Sequence, residues 1–403
     1  MQDETHPGLA DAASRREPLP RICYAGTYER DYPRNRVIID ALRLAGARVE
    51  EAHVPVFERR RDKSGVGVVA LAGLAARLTF AYLRLVPDVV LRLLRCDALM
   101  IGYVGQLDAI VLGPVARLLG RPAIFNPLVT LTDTVVEDRG RFAPGSPPAR
   151  AIALLDRLAL RGADLVLADT AENGRYMTER FGVPPERIAV VPVGADEGVF
   201  FPADAEPKSG ATLDVLFVGK FIPLHGVETV VRAAALLERR GIAARFELVG
   251  AGQTYPAARA LASELGVRSI TWTDWIPFNV LGARLRAADV VLGVFGSGAK
   301  AARVVPNKVY QSTASGVATI TRGCPAIEAY LRDGESALLV PPDDAGALAG
   351  AIERLADPAL RQRIAAGGRA AYEERGSRGA VARALAPVVA LAGSEGRAWR
   401  DRG

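Results

Sequence analysis

Two doubly wound α/β domains in tandem, their sheets facing each other across a cleft, are the fold this sequence predicts. Short β-branched runs alternate with helical patterns, that alternation restarts past the middle of the chain, and 403 residues exceed what one core holds. In the first half the runs are RICYAG at 21–26, DALMIG at 97–102, PAIF at 122–125, DLVLAD at 164–169 and IAVVPV at 188–193. A polar, proline-bearing link follows at 202–210. The second series is DVLFVG at 214–219, RFELVG at 245–250, SITWT at 269–273, DVVLGVF at 289–295, VATIT at 317–321 and ALLVP at 337–341. Residues 1–19 are polar and lack the apolar core of a signal peptide, so they read as a disordered leader. The domains are therefore expected at 20–202 and 210–375, with a C-terminal helix and tail at 376–403. Ligands of such sheets bind beyond the carboxyl ends of the strands, which directs attention to the cleft.

Composition narrows the function less. A net charge of +6 and a pI near 9.4 suit an enzyme that handles phosphorylated molecules or lies against anionic lipid, and suit ordinary soluble proteins too. Cys23, Cys96 and Cys324 form neither a metal-ligand pattern nor a disulfide framework, which points to the reducing cytoplasm. The apolar stretch from Val66 to Leu83 carries Arg77 and runs into Arg84, Arg92 and Arg95. It reads as a buried or surface-lying helix, with peripheral contact at the inner face of a membrane as the second reading.

Two segments carry phosphate chemistry. DVLFVGKFIPLHGVE at 214–228 is a buried strand, a loop with Gly219, Lys220, His225 and Gly226, and a helix start. Such a loop presents backbone amides to an anion, although an ordinary βα loop with a solvated lysine has the same pattern. FGSGAKAARVVPNKVYQSTASG at 295–316 places Lys300, Arg303 and Lys308 before or at a helix that opens at Pro306 and Asn307. Cations at a helix N-terminus oppose its dipole and ask for an anion, unless the loop is simply solvated. Gln311, one turn inside, is placed to reach a sugar hydroxyl.

In the first half, Gly26 ends the first strand, and Arg34, Asn35 and Arg36 open the following helix. They read as cleft residues, or as groups that only cap and solvate that helix. The cluster GYVGQLD at 102–108 ends the strand DALMIG, so Gln106 and Asp108 are expected to point toward the cleft, Asp108 being a candidate acceptor contact or else a helix cap. Asp133, Glu137 and Asp138 sit in a stretch, NPLVTLTDTVVEDR, that looks like an acceptor loop. There is no Asp-X-Asp sequence and there are only three histidines, so no metal is expected. Neither first βα turn has a Gly-x-Gly-x-x-Gly fingerprint, which argues against a nicotinamide enzyme.

Over roughly residues 20 to 375 these motifs resemble the family 4 glycosyltransferases, retaining enzymes of the GT-B architecture with two Rossmann-like domains. The resemblance implies that the C-terminal half binds a nucleotide sugar. Gly219, Lys220, His225 and Gly226 match the family's phosphate loop, with histidine where lysine is usual. The family's two glutamates, eight positions apart, align with Arg303 and Gln311, and the run KAARVVPNKVYQ is similar to a subgroup with Pro-Asn-Lys before this helix. Trp275 and Ile276 fall in the segment that holds the base, and VVPVGADEGVFFP at 190–202 is similar to the close of the N-terminal domain. By resemblance, Lys220 and Lys300 stabilise the leaving diphosphate and Arg34 to Arg36 face it from across the cleft. The implied activity is metal-independent, hexosyltransferase-like transfer to a sugar or lipid-linked acceptor in glycan, polysaccharide or glycolipid biosynthesis, without nucleic acid. The departures at Arg303 and Gln311 favour one alternative, a non-catalytic nucleotide-sugar binder that acts with a partner transferase.

Overall fold

The computed structural model describes residues 19–30, 32–56, 68–202 and 212–400. The leader expected at 1–19 and the link expected at 202–210 fall, but for Leu19 and Pro202, outside the described residues. Among the described residues the chain forms two parallel six-stranded sheets. The first half runs β1 (Arg21–Gly26), α1 (Pro33–Leu44), β2 (Arg48–His53), α2 (Val68–Leu93), β3 (Ala98–Ile101), α3 (Gln106–Leu118), β4 (Ala123–Leu128), a π-helical turn (Thr132–Asp138), α4 (Pro147–Arg161), β5 (Leu165–Ala168), α5 (Ala171–Phe181) and β6 (Ile188–Val190). The second runs β7 (Leu213–Val218), α6 (Val227–Arg239), β8 (Ala244–Val249), α7 (Tyr255–Glu264), β9 (Ile270–Thr273), α8 (Phe278–Arg286), β10 (Val290–Leu292), α9 (Asn307–Ala314), β11 (Ala318–Arg322), α10 (Pro325–Glu328), β12 (Leu338–Val340), α11 (Ala345–Arg354), α12 (Pro358–Arg375) and α13 (Arg378–Arg400).

Strand order places the sites. The first sheet reads β2-β1-β3-β4-β5-β6 and the second β12-β11-β10-β7-β8-β9. Each order reverses once, between β1 and β3 and between β7 and β10, and a crevice opens at each reversal. Local sequence explains the helices around them. Thr170 caps α5 by accepting from the Asn173 amide at 3.0 Å, and Gly182, at φ 72°, ends that helix. Proline opens α1 and α4, where a missing amide hydrogen costs little.

The sequence reading lacks β2. Its residues, RVEEAH, show no clean alternation, because this is an edge strand whose Glu50 and Glu51 pair with arginines (Arg21–Glu50 2.6 Å, Arg43–Glu51 3.4 Å). The helix expected within 376–403 is α13, and it crosses back to lie on α1 of the first domain. Val381, Leu385, Val388 and Val389 are buried there with Ile22, Val37 and Ile38. Leu385→Ala is expected to lower stability by about 2–5 kcal/mol in urea unfolding, because Leu385 is fully buried; an exposed-site effect near zero would detach α13 from this core.

The apolar stretch around residue 80 becomes α2. Ala81, Leu85, Val89 and Leu93 face the core, and no helix among the described residues is long and apolar enough to cross a membrane.

Candidate functional site

At the reversal of the second sheet, β7 delivers Gly219 into a close-packed corner. A Cβ there would stand 2.7 Å from Lys308 Nζ and 2.9 Å from His225 Cε1. After a 3-10 turn at Pro223–His225, Gly226 enters α6 at φ 59°, and a Cβ on it would meet the Gly296 amide nitrogen at 2.5 Å. Both glycines are thus required by crowding. Lys308 lies in the first turn of α9, which opens after Pro306. Its ammonium is 3.7 Å from the centre of the Phe217 ring, it is buried, and no hydrogen-bond partner for it is found among the described residues. Burial holds its pKa well below the usual lysine value. His225 is buried too, and desolvation with the neighbouring Lys308 charge keeps its pKa well below the ordinary histidine value. The neutral ring donates from Nδ1 to the Lys220 carbonyl. This leaves Nε2 an acceptor, so His225 suits a sugar hydroxyl better than the phosphate oxygen anticipated for it. Lys220 is exposed beside it.

Lys300 and Arg303 go elsewhere. Lys300 donates to Thr134 Oγ1 at 2.6 Å and stands 3.3 Å from Asp133 Oδ2. Arg303 binds the other Asp133 oxygen, lies 3.6 Å from Glu137 Oε2, and stacks 4.1 Å above the Tyr176 ring. Thr170 donates to the Arg303 carbonyl at 2.5 Å. Both cations therefore reach across to the first domain, and Asp133, 1% exposed, is the pivot of an interdomain contact. Asn307 opens α9 after Pro306. Gln311 is half-buried inside α9, Trp275 is 64% exposed after β9, and Ile276 packs against a cluster that both domains share, with Leu128 and Val193 from the first and Val309 and Tyr310 from the second.

At the first sheet's reversal the polar groups mostly brace the backbone. Asp108, on the first turn of α3, accepts from the Thr27 amide at 2.8 Å and the Tyr82 hydroxyl at 2.9 Å. A Cβ on Gly26 would collide with this carboxylate at 2.5 Å. Asp108 is thus placed to hold the loop after β1, and neither caps its own helix nor points freely at an acceptor. Arg34, fully buried, donates to Asn126 Oδ1 (3.0 Å) and to the carbonyls of Val191 (3.1 Å) and Pro192 (2.6 Å). Asn35 joins the Tyr24 hydroxyl (2.7 Å) to the backbone of Tyr103, and Arg36 pairs with Asp196 at 3.3 Å. The amide of Gln106 is buried, with neither atom partnered among the described residues.

Asp169, near Arg34, was not anticipated; its run read only as strand. Burial pushes its carboxyl up to about 6, against a hydrogen bond from Asn173 and the Arg34 charge. A carboxyl raised above its ordinary 3.8 takes up its proton first in the folded state. Its contribution to stability is full below about pH 4 and is lost as the pH rises through about 6. Asp169→Asn is expected to remove that slope, gaining about 2–3 kcal/mol on the parent between those pH values in urea unfolding; parallel profiles would refute the assignment.

Two doubly wound domains that face each other, joined by a helix returning from the second to the first, define a GT-B fold. The family model for the glycosyl transferase 4-like domain matches residues 28–194, and that for glycosyl transferases group 1 matches residues 212–357. The chain belongs to the GT-B glycosyltransferases of the family 4 type. It is similar to the D-inositol 3-phosphate glycosyltransferases of Acidothermus cellulolyticus (35% identical over 237 residues, 55% of this chain and 51% of that protein) and Thermomonospora curvata (31% over 273 residues, 60% and 61%). The chain spans about half the length of the first of these and 61% of the second. In fold it is similar to the sucrose-phosphate synthase of Thermosynechococcus elongatus (TM-score 0.67, 18% identity, 93% of this chain and 99% of that one). It is also similar to Anabaena HepE, solved with UDP and glucose (TM-score 0.66, 15% identity, 92% and 100%).

Proposed function

We propose that this chain moves a sugar from a nucleoside-diphosphate sugar to an acceptor hydroxyl with retention of anomeric configuration and without a metal. The observation that carries this reading is the Lys308 ammonium, buried and unpartnered beside Gly219 at the second domain's switch point. An anion is what such a group lacks. The diphosphate would take the loop amides around Gly226, the N-terminus of α6 and the Lys308 charge, with exposed Lys220 closing over it. As the bond from the anomeric carbon to the phosphate oxygen breaks, that oxygen keeps the electron pair and Lys308 stabilises the growing charge. The acceptor oxygen bonds to the same face of that carbon, and its proton passes to the departing phosphate oxygen. His225 Nε2 would accept from a sugar hydroxyl and so orient the donor.

HepE, a neighbour in fold, was solved with UDP, which makes uridine diphosphate the first nucleotide to test. The inositol phosphate in the relatives' names makes D-inositol 3-phosphate a first soluble acceptor. The test is transfer from UDP-, GDP- and ADP-sugars with the product anomer read by NMR. An α-linked product from an α-donor supports the reading, and an inverted product refutes its stereochemistry. A second reading, a donor-binding protein that needs a partner transferase, is favoured by Gln311 and by Arg303 being held on Asp133. It predicts saturable nucleotide binding with no transfer from any donor.

A further inference from the structure

The outer surface of the helices over one face of the first sheet plays no part in the proposed reaction. α2, α3 and α4 lie side by side over a common core. Surface helices ordinarily turn polar residues outward. Here Leu83 and Leu91 of α2 and Leu94 just beyond it are 69%, 64% and 62% exposed, Leu118 of α3 is 86% exposed, and Leu154 and Leu158 of α4 are 54% and 45% exposed. Phe80, Leu83, Pro87, Leu91 and Leu94 recur at helical spacing, so the exposed residues of α2 form one continuous ridge.

The charges between these residues are mostly positive, although Arg92 lies between Asp88 and Glu50 and Arg117 faces Asp164 at 3.5 Å. α2 carries Arg77, Arg84 and Arg92, α3 carries Arg117, and α4 carries Arg150, Arg157 and Arg161. The carboxylates of the same helices are Asp88, Asp108 and Asp156. Asp108 and Asp156 are buried and bonded inward, and Asp88 is held by Arg92 at 2.9 Å. The Arg84 guanidinium lies 4.3 Å over the Phe80 ring, its stem along the apolar ridge.

A face of leucines interleaved with arginines fits a partner that is apolar inside and anionic at its surface. We propose that the outer face of α2, α3 and α4 docks this protein onto an anionic lipid bilayer, with its leucines at the acyl boundary and its arginines among the headgroup phosphates. α3 starts at the first domain's switch point, with Val104 and Leu107 exposed beside it. The docked face therefore adjoins the cleft, and a lipid-borne acceptor could enter from the membrane. That last step rests on the transferase reading, whereas docking does not.

The test is flotation of the full chain with phosphatidylcholine vesicles, with and without phosphatidylglycerol. Binding to the anionic vesicles is expected to exceed binding to the neutral ones by at least about tenfold and to weaken with salt. Leu83→Glu with Leu91→Glu should abolish flotation and leave the melting temperature and the UDP-induced thermal shift unchanged. Arg84→Glu with Arg157→Glu, both at exposed positions, should remove the anionic preference and keeps the test open if the leucine variant misfolds. No flotation with anionic vesicles, or variants that float like the parent, would overturn the proposal. So would a parent dimer in sedimentation that the leucine variant converts to monomer, since this gives the face to a second copy. A missing UDP shift in the parent would count against the proposed function alone.

Discussion

Lys308→Met is expected to lower turnover by about 10²–10³-fold and, in the same variant, to stabilise the nucleotide-free protein. The first effect follows from removing one preorganised charge at the departing phosphate. The second follows because the Lys308 ammonium is buried over Phe217 with no partner among the described residues, so a thioether of similar length relieves a desolvation cost of about 1–3 kcal/mol. The pH dependence has a definite sign. Burial holds the folded pKa below the ordinary 10.5, so the unfolded chain binds more protons in the interval between them and stability rises with pH there. In Lys308→Met that rise should vanish. Urea unfolding over an alkaline pH series, with turnover measured on the same samples, reads both effects; a variant that loses activity and stability together would mean that Lys308 is a packing residue.

Asp133→Asn is expected to uncouple the domains. Asp133 holds Lys300 and Arg303 from the other side of the cleft while almost fully buried, so removing its charge leaves two cations facing each other with only Glu137, 3.6 Å from Arg303, to offset them. Breaking a buried pair in this way costs about 3–5 kcal/mol. The parent is expected to unfold in a single calorimetric transition that splits into two in the variant, and the radius of gyration from solution scattering should grow. An unchanged single transition would mean that the contact contributes nothing to closure. A split transition would instead make Lys300 and Arg303 a latch on the first domain, for which a diphosphate would have to compete with Asp133.

The fold was legible wherever burial leaves a mark in the sequence. The central strands of the second domain carry apolar runs such as VLFV in β7 and VVL in β10, because helices cover both faces of a parallel sheet. β2 was not legible, since an edge strand with Glu50 and Glu51 half-exposed keeps no such mark. The return of α13 to α1 was hidden for another reason: apolar spacing shows that a helix has a buried face and says nothing of what buries it. The site divides along the same line. Gly219, Gly226 and Lys308 stand out because a βα loop and a helix start are local patterns. The bond from Thr27 to Asp108 and the ion pair from Arg303 to Asp133 join residues 81 and 170 positions apart. At that range a carboxylate looks alike whether it braces a loop, latches a domain or meets an acceptor. Asp108 accordingly reads as an acceptor contact or a helix cap and Asp133 as part of an acceptor loop, and the structure places them as a brace and a pivot.

The most direct measurement is isothermal titration of UDP, GDP and ADP into the parent protein and into Lys308→Met at neutral pH. One nucleoside diphosphate should bind the parent saturably at a single site, and Lys308→Met should weaken it by at least about tenfold, the loss of one charge-assisted contact. No saturable binding by any of the three, or equal affinity in the variant, would contradict the assignment of the second domain's switch point as a diphosphate site.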